Sequence, residues 1–334
     1  MKHCASSQTL LRNQADMSSP PEIDRDAPLI FIVNAASGSA GAQAKREAIE
    51  AALKEAGRVG DLRFATADAL AQAARTAAAD AGATRSAVIA VGGDGTINAV
   101  AQAAHAQGCA MGVVPQGTFN YFARTHGLPA EPDAAVRALL RSAPQPVQVG
   151  SVNGSVFLVN ASLGLYPELL EDREAYKARF GRSRLVALGS AFATLMREHR
   201  QLRLRIEQGG VLRSVRTPTL FIGNNRLQLE QVGLRAAVNV DSGCIAAVML
   251  KPIGTLAMLW LLARGALGSL GEADDVESFA FRQMTVSPSR GYGGRRIKVA
   301  FDGEVAWMRA PLQFEVAARP LWLLKPADAV AEAP

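Results

Sequence analysis

A chain of 334 residues with 49% apolar residues, 6% aromatics and 30 glycines has room for two domains and a sizeable core, with the texture of an α/β protein. Its three cysteines lack CxxC spacing, which argues against a disulfide framework and a zinc site and suits a reducing compartment. A net charge of +6 admits nucleic acid, anionic lipid or a nucleotide as partner without choosing among them.

Residues 1–27 are polar, contain Pro20-Pro21 and lack the apolar core of a signal peptide, so a disordered extension is expected. Pro28-Leu29-Ile30-Phe31-Ile32-Val33 reads as a strand buried on both faces. It runs into Asn34-Ala35-Ala36-Ser37-Gly38 and a helix over 42–55. A short strand at 62–65 ends at Thr66, and a helix follows over 68–80. Ala87-Val88-Ile89-Ala90-Val91 then leads into Gly92-Gly93-Asp94-Gly95-Thr96-Ile97-Asn98, with Ile97, Val100, Ala101 and Ala104 at helical spacing. The strand at 111–114 delivers Pro115-Gln116-Gly117-Thr118-Phe119-Asn120. Strands alternating with helices predict a doubly wound parallel sheet, in which ligands bind beyond the C-terminal ends of the strands.

The texture changes near Pro144-Gln145-Pro146, and Asn153-Gly154 between apolar runs signals a hairpin. Helices are expected at 168–177 and 183–199. Strands follow at 202–206, 211–216, 219–222, 244–250, 279–286, 295–301, 304–308, 312–316 and 321–324. The fold class is therefore α/β plus β: an N-terminal doubly wound parallel-sheet domain over 28–145 and a mainly antiparallel β domain over 146–319, with a tail at 327–334. The apolar window 253–263 is closed by Arg264 after roughly eleven residues, where a membrane span needs about twenty. It can touch a membrane but is too short to cross one.

The stretch Gly92–Asn98 carries the clearest chemistry. Glycines let backbone N–H groups approach an anion, and a helix N-terminus adds its positive dipole end. Asp94 would repel phosphates unless a divalent cation lay between, which suggests a nucleoside triphosphate with Mg²⁺. A plain strand-to-helix turn is the alternative. GxxxxGK[ST], GxGxxG behind a strand, HExxH, the kinase HRD/DFG set and GxSxG are all absent.

Asn34-x-x-Ser37-Gly38, Gly92-Gly93-Asp94-Gly95-Thr96 and Pro115-x-Gly117-Thr118-x-Asn120-x-Phe122-Ala123-Arg124, in this order, resemble the diacylglycerol kinase catalytic domain. This is the superfamily of bacterial soluble lipid kinases and sphingosine kinases. The likeness continues through Asn160-Ala161-Ser162-Leu163-Gly164, Gly223-Asn224-Asn225 and Asp302-Gly303-Glu304. The resemblance implies an ATP-dependent lipid kinase, most simply one that converts diacylglycerol to phosphatidic acid. ATP would be bound by Asn34, Ser37, Gly38, Thr66, Gly92, Gly93, Asp94, Gly95, Thr96, Asn98 and Thr118. It implies a catalytic set of Glu304, Asp94 and Asp302, with Glu304 accepting the hydroxyl proton and Asp94 at the nucleotide and its Mg²⁺. It also implies that residues 320–326 return to the first domain.

Two departures from the family pattern stand out. Ala35 replaces the usual proline, and Asp241-Ser242-Gly243 has serine where a structural Mg²⁺ site expects aspartate, leaving Asp241 one residue out of place. Asp302-Gly303 between two strands is also what a type I′ hairpin requires, which leaves Glu304 at a turn as well as at a candidate catalytic position. Arg124 is a phosphate-stabilising candidate or a salt-bridge residue. Arg179, Arg182, Arg184, Arg197, Arg200, Arg203, Arg205, Arg290, Arg295, Arg296 and Lys298 could form solvated faces or attract anionic lipid. The expected partners are ATP, a lipid substrate and a transient anionic membrane surface, with no nucleic acid and with a homodimer left open. The expected location is the cytoplasm, peripherally at the membrane. An NAD kinase and a non-catalytic nucleotide- or lipid-binding regulator are the competing readings.

Overall fold

The computed structural model describes residues 19–35, 41–117, 119–165, 167, 201–234, 240, 242–254, 257, 260, 261, 264, 269, 273–289 and 296–326. The expected helices at 168–177 and 183–199, most of the apolar window at 253–263 and the tail at 327–334 lie outside the described residues. So do residues 1–18 of the expected extension. The chain divides into two compact units, one running to Val149 and resuming at Ala317, the other spanning Gly150–Val316.

The first unit is built on β1 (Leu29–Asn34), β2 (Gly60–Ala65), β3 (Ala87–Gly92), β4 (Ala110–Pro115), β5 (Ser142–Val147) and β18 (Leu321–Pro326). They form one sheet in the order β2-β1-β3-β4-β18-β5. All neighbours are parallel except β5, which runs antiparallel to β18. Strand side chains alternate between faces. Leu29, Phe31, Val33, Ile89 and Val91 meet Ile49 and Leu53 of α1 (Ala42–Glu55) and Val136 and Leu139 of α5 (Pro132–Leu140). The other face receives α2 (Leu70–Ala83) and α3 (Asp94–Gln107), whose small alanine-rich stripes let the two helices pack closely together and onto the strands. Helices on both faces bury the central strands completely, which is why those strands read as continuous apolar runs.

Ser142–Val147 is a sheet strand although it contains Pro144 and Pro146. The two prolines are two residues apart, so both missing N–H groups face the same way. At the edge of a sheet that way is outward, and pairing with β18 survives. The boundary between the units falls just after this strand, between Val149 and Gly150.

The second unit contains two antiparallel six-stranded sheets. One is ordered β10-β9-β14-β17-β6-β7, from β6 (Gly150–Val152), β7 (Ser155–Phe157), β9 (Leu202–Gln208), β10 (Val211–Thr217), β14 (Gln283–Pro288) and β17 (Leu312–Val316). The other is ordered β13-β12-β11-β8-β15-β16, from β8 (Asn160–Gly164), β11 (Thr219–Gly223), β12 (Ile245–Leu250), β13 (Val276–Phe281), β15 (Arg296–Phe301) and β16 (Glu304–Arg309). Leu204, Ile206, Met284 and Phe314 of the first share one core with Leu163, Ile222, Ile245 and Phe281 of the second. Alternation explains β9, where buried Leu204 and Ile206 are separated by exposed Arg203, Arg205 and Glu207. On the outer face of β12, Ala246 and Val248 are covered by Leu229 of α6 (Arg226–Gln231).

The architecture expected from the sequence, α/β followed by antiparallel β, is the one observed. One local expectation changes. The single strand over 279–286 is two strands in different sheets, β13 and β14, with Arg282 between them. Cys109 is a free buried thiol whose pKa burial pushes up to about 11. Among the described residues no helix is long and apolar enough to cross a membrane.

Candidate active site

Strands β1, β3 and β4 are adjacent and parallel, so the loops after them leave the sheet at one end. Asn34 closes β1 and its side-chain amide donates to Thr96 Oγ1 at 3.1 Å, tying the first loop to the second. The Gln116 N–H donates to the Gly92 carbonyl at 2.8 Å, tying the third loop to the second. The second and third loops meet too closely for side chains. A Cβ on Gly117 would stand 3.0 Å from the Gly93 Cα and 2.6 Å from Asn120 Oδ1, and a Cβ on Gly92 would run into the Thr96 side chain. Thr66 follows β2, whose last residue, Ala65, pairs with Asn34. Its hydroxyl donates to Asp68 and holds that carboxylate below the usual range.

Asp94 is the first residue of α3, behind a Gly93 N-cap that supplies no side-chain acceptor. The N-cap thus offers no side-chain acceptor to the first-turn amides of α3, and a helix end of this kind is suited to receive an anion. Asn120 holds the opposing loop. It adopts φ +47°, accepts from the Gly117 N–H at 2.9 Å and donates to the Gly117 carbonyl at 2.8 Å. Its own backbone N–H donates to the Asp94 carboxylate. Burial pushes the Asp94 pKa up, against the downward pull of the bonds from the Asn120 and Asp94 backbone N–H groups. The Oδ1 atom of Asp94 is buried without a hydrogen-bond partner. A carboxylate oxygen in that condition costs free energy unless something cationic or hydrogen-bonding meets it.

Of the other predicted residues, Thr96 and Asn98 are buried on α3, and Gly95 is half-buried beside them. Arg124 is exposed at the end of α4 (Tyr121–Thr125), its guanidinium 5.9 Å from the centre of the Tyr121 ring. Ser37, Gly38, Thr118 and Asp241 lie outside the described residues. Among the described residues no cluster of three or more His, Cys, Asp or Glu side chains could hold a metal by itself.

Sequence reasoning passed over Lys45. It lies on the buried stripe of α1 with Ile49, Ala52 and Leu53 and is only 4% exposed. Its Nζ donates to the Asn34 carbonyl at 3.1 Å, and desolvation lowers its pKa. A charged residue in register with an apolar helical stripe was the available signal. A cavity of about 460 Å³ opens beside it, lined also by Val114, Gln116, Pro132 and Arg137.

In the second unit, β15 and β16 are joined by Asp302-Gly303, with φ of +46° and +90° and Phe301 paired to Glu304, a two-residue hairpin loop. Glu304 is exposed where β16 begins. Asp302 is buried, and its carboxylate accepts from the N–H groups of Leu158 at 2.6 Å, Val159 at 2.9 Å and Asn160 at 3.0 Å. Asn224 braces the same segment, its backbone N–H donating to the Val159 carbonyl at 2.8 Å and its side chain to the Leu158 carbonyl at 3.0 Å. The Asn160 side chain donates to Gln228, which is itself held by Asn225 as N-cap of α6. The motifs around Asn160, Asn224 and Asp302 thus form one network that fixes the hairpin tip carrying Glu304.

Residues 28–152 match the family model described as the diacylglycerol kinase catalytic domain. A Pseudomonas aeruginosa (strain UCBPP-PA14) protein named probable lipid kinase YegS-like is 40% identical over 149 residues, covering 42% of this chain and 45% of that protein. A Bacillus subtilis (strain 168) protein named diacylglycerol kinase is 40% identical over 88 residues, 25% of this chain and 29% of that protein. The chain thus matches less than half the length of these relatives. The crystal structure of a diacylglycerol kinase from Bacillus anthracis str. Sterne superposes with a TM-score of 0.64 at 17% identity, covering 90% of this chain and 98% of that one. At that identity the superposition speaks for the fold. The segment at 28–152, which carries the glycine turns after β3 and β4, is similar to the diacylglycerol kinase catalytic domain.

Proposed function

We propose that this protein is an ATP-dependent lipid kinase that transfers the γ-phosphoryl group of MgATP to a lipid hydroxyl, with diacylglycerol as the acceptor. The observation that carries the reading is the unpartnered, buried Asp94 Oδ1 at the start of α3, hemmed in by the glycine turns at 92–93 and 117. The match of residues 28–152 to the family model and the lipid kinase names of the relatives support the same reading.

The residues present fit Mg²⁺ arriving with the nucleotide. Mg²⁺ takes hard oxygen donors and commonly uses one or two carboxylates plus substrate phosphates, and Asp94 offers such an oxygen. When bound, the ion would screen the charge of the phosphate oxygens. The α3 N-terminus and the glycine amides would hold the phosphate chain, with Asn34, Ser37, Gly38, Thr66, Thr96, Asn98 and Thr118 around the nucleotide. Phosphoryl transfer depends mainly on such positioning and charge stabilisation. Glu304 would accept the hydroxyl proton, Asp302 would hold its hairpin in place, and Arg124 would offset charge on the transferring group. The protein would work peripherally on an anionic membrane surface.

Two outcomes are expected. Glu304→Gln should lower kcat by roughly 10²–10⁴-fold while nucleotide affinity is kept, measured with labelled ATP across diacylglycerol, ceramide, sphingoid-base and NAD acceptors. A wild-type protein that labels NAD and no lipid would overturn the reading. Lys45→Met should raise KM for ATP about tenfold, because a charged hydrogen bond to the Asn34 carbonyl is lost, and Lys45→Arg should recover part of it. An unchanged KM would show that the Asn34 loop does not depend on this bond.

A further inference from the structure

The β9–β10 hairpin stands at the edge of its sheet, and Gly209-Gly210 turns it with φ of +57° and +76°. Strand alternation puts Arg203, Arg205 and Glu207 of β9 on the face away from the core, opposite Arg216, Ser214 and Leu212 of β10. Arg203 and Arg216 are direct cross-strand partners, an arrangement of like charges that weakens a sheet. None of Arg203, Arg205 and Arg216 has an ion-pair partner among the described residues, and all three are exposed. On the opposite face Arg213 is neutralised by Glu277 and stacks over the Phe279 ring at 4.4 Å. At the tip, Leu212 is 62% exposed on the outer face, while Val211, paired with Gln208, belongs to the opposite face.

We infer that the outer face of the β9–β10 hairpin docks the protein on an anionic lipid bilayer, with Arg203, Arg205 and Arg216 against the headgroups and Leu212, on the same face at the tip, dipping below them. The inference deepens the lipid-kinase reading and rests on it for its biological sense. Charge complementarity selects an anionic partner, since Glu207 is the single carboxylate among these six outer positions. Exposed Leu212 on this face selects a bilayer over a nucleic acid. A single strand would call for aromatic stacking platforms, and this face has none. A basic face with an exposed leucine at its leading edge has the composition of an interfacial anchor.

The test is co-sedimentation of the full chain, without ATP, on phosphatidylcholine vesicles with and without phosphatidylglycerol. Wild type should sediment with the anionic vesicles, and the Arg203→Glu, Arg205→Glu, Arg216→Glu triple variant should bind them roughly a hundredfold more weakly. Leu212→Ser should leave a weaker association that added salt removes. Turnover of detergent-dispersed lipid, which needs no bilayer, should be unchanged in both variants, and it reports folding and kinase activity separately. Wild type that ignores lipid charge, a triple variant that sediments like wild type, or displacement from vesicles by polyuridylate would overturn the docking face. Wild type that sediments as expected but never turns over dispersed lipid would support the docking face and remove the kinase reading alone.

Discussion

Asp94→Asn is expected to lower phosphoryl transfer by about 10²–10³-fold or more while making the nucleotide-free protein more stable. The loss follows from removing the charged oxygen proposed to meet Mg²⁺ and the phosphates, an electrostatic contribution of the size seen for other preorganised groups. The gain follows from the Oδ1 atom, which is buried without a partner in the wild type. An amide oxygen still accepts the Asn120 N–H, more weakly than a carboxylate, but it carries no buried charge, so a net gain of about 1 kcal/mol is expected. The sign with pH is fixed by the direction of the shift. Burial raises the folded-state pKa above the ordinary 3.8, so the protonated form is the better tolerated one. Asp94 therefore weighs on stability above its folded-state pKa and is relieved as pH falls through it. Thermal melts of the two proteins should differ at neutral pH and converge in acid. A variant that melts below wild type at neutral pH would mean that the carboxylate is satisfied in the nucleotide-free protein.

Asp302→Ala is expected to cost about 3–4 kcal/mol, the largest single-residue loss in the second unit. The carboxylate accepts three backbone N–H groups in a row, and alanine would leave all three buried donors without it. Asp302→Asn keeps one acceptor oxygen and should lose about half as much. Urea unfolding of the variants measures this directly. Comparison with Glu304→Gln separates anchoring from chemistry, since Glu304 is exposed and its replacement should leave stability untouched. An Asp302→Asn protein with wild-type stability would show that the three short bonds contribute little and that Asp302 acts otherwise than as an anchor.

Legibility followed how local each signal was. Strands β1, β3 and β4 are covered on both faces, so the chain spells them as unbroken apolar runs, and glycines follow each of them in the sequence. The Asn153-Gly154 and Asp302-Gly303 hairpins were readable for the same reason, since a two-residue loop imposes its own residues. Strand β5 was not, because Pro144 and Pro146 resemble a linker until the neighbouring β18 shows which edge they occupy. The break at Arg282 has no local mark, as β13 and β14 are both ordinary strand text and only the sandwich separates them.

The same limit applies to the site. The phosphate-compatible loop at 92–98 could be read directly, but the bond from Lys45 to the Asn34 carbonyl spans 11 residues and a helix. The Asp302 network joins residues more than 140 positions apart. Asn160, Asn224 and Asp302 stood out as motif residues, and their shared purpose, a fixed hairpin tip under Glu304, emerged only from the hydrogen bonds.

The central claim is that the loops after β1, β3 and β4 form one MgATP site through Asp94. Calorimetric titration of ATP into the full chain, with Mg²⁺ and then with chelator, tests it most directly. The account predicts one metal-dependent site per chain that is lost in Asp94→Asn. Equal, metal-independent binding to wild type and variant would contradict it.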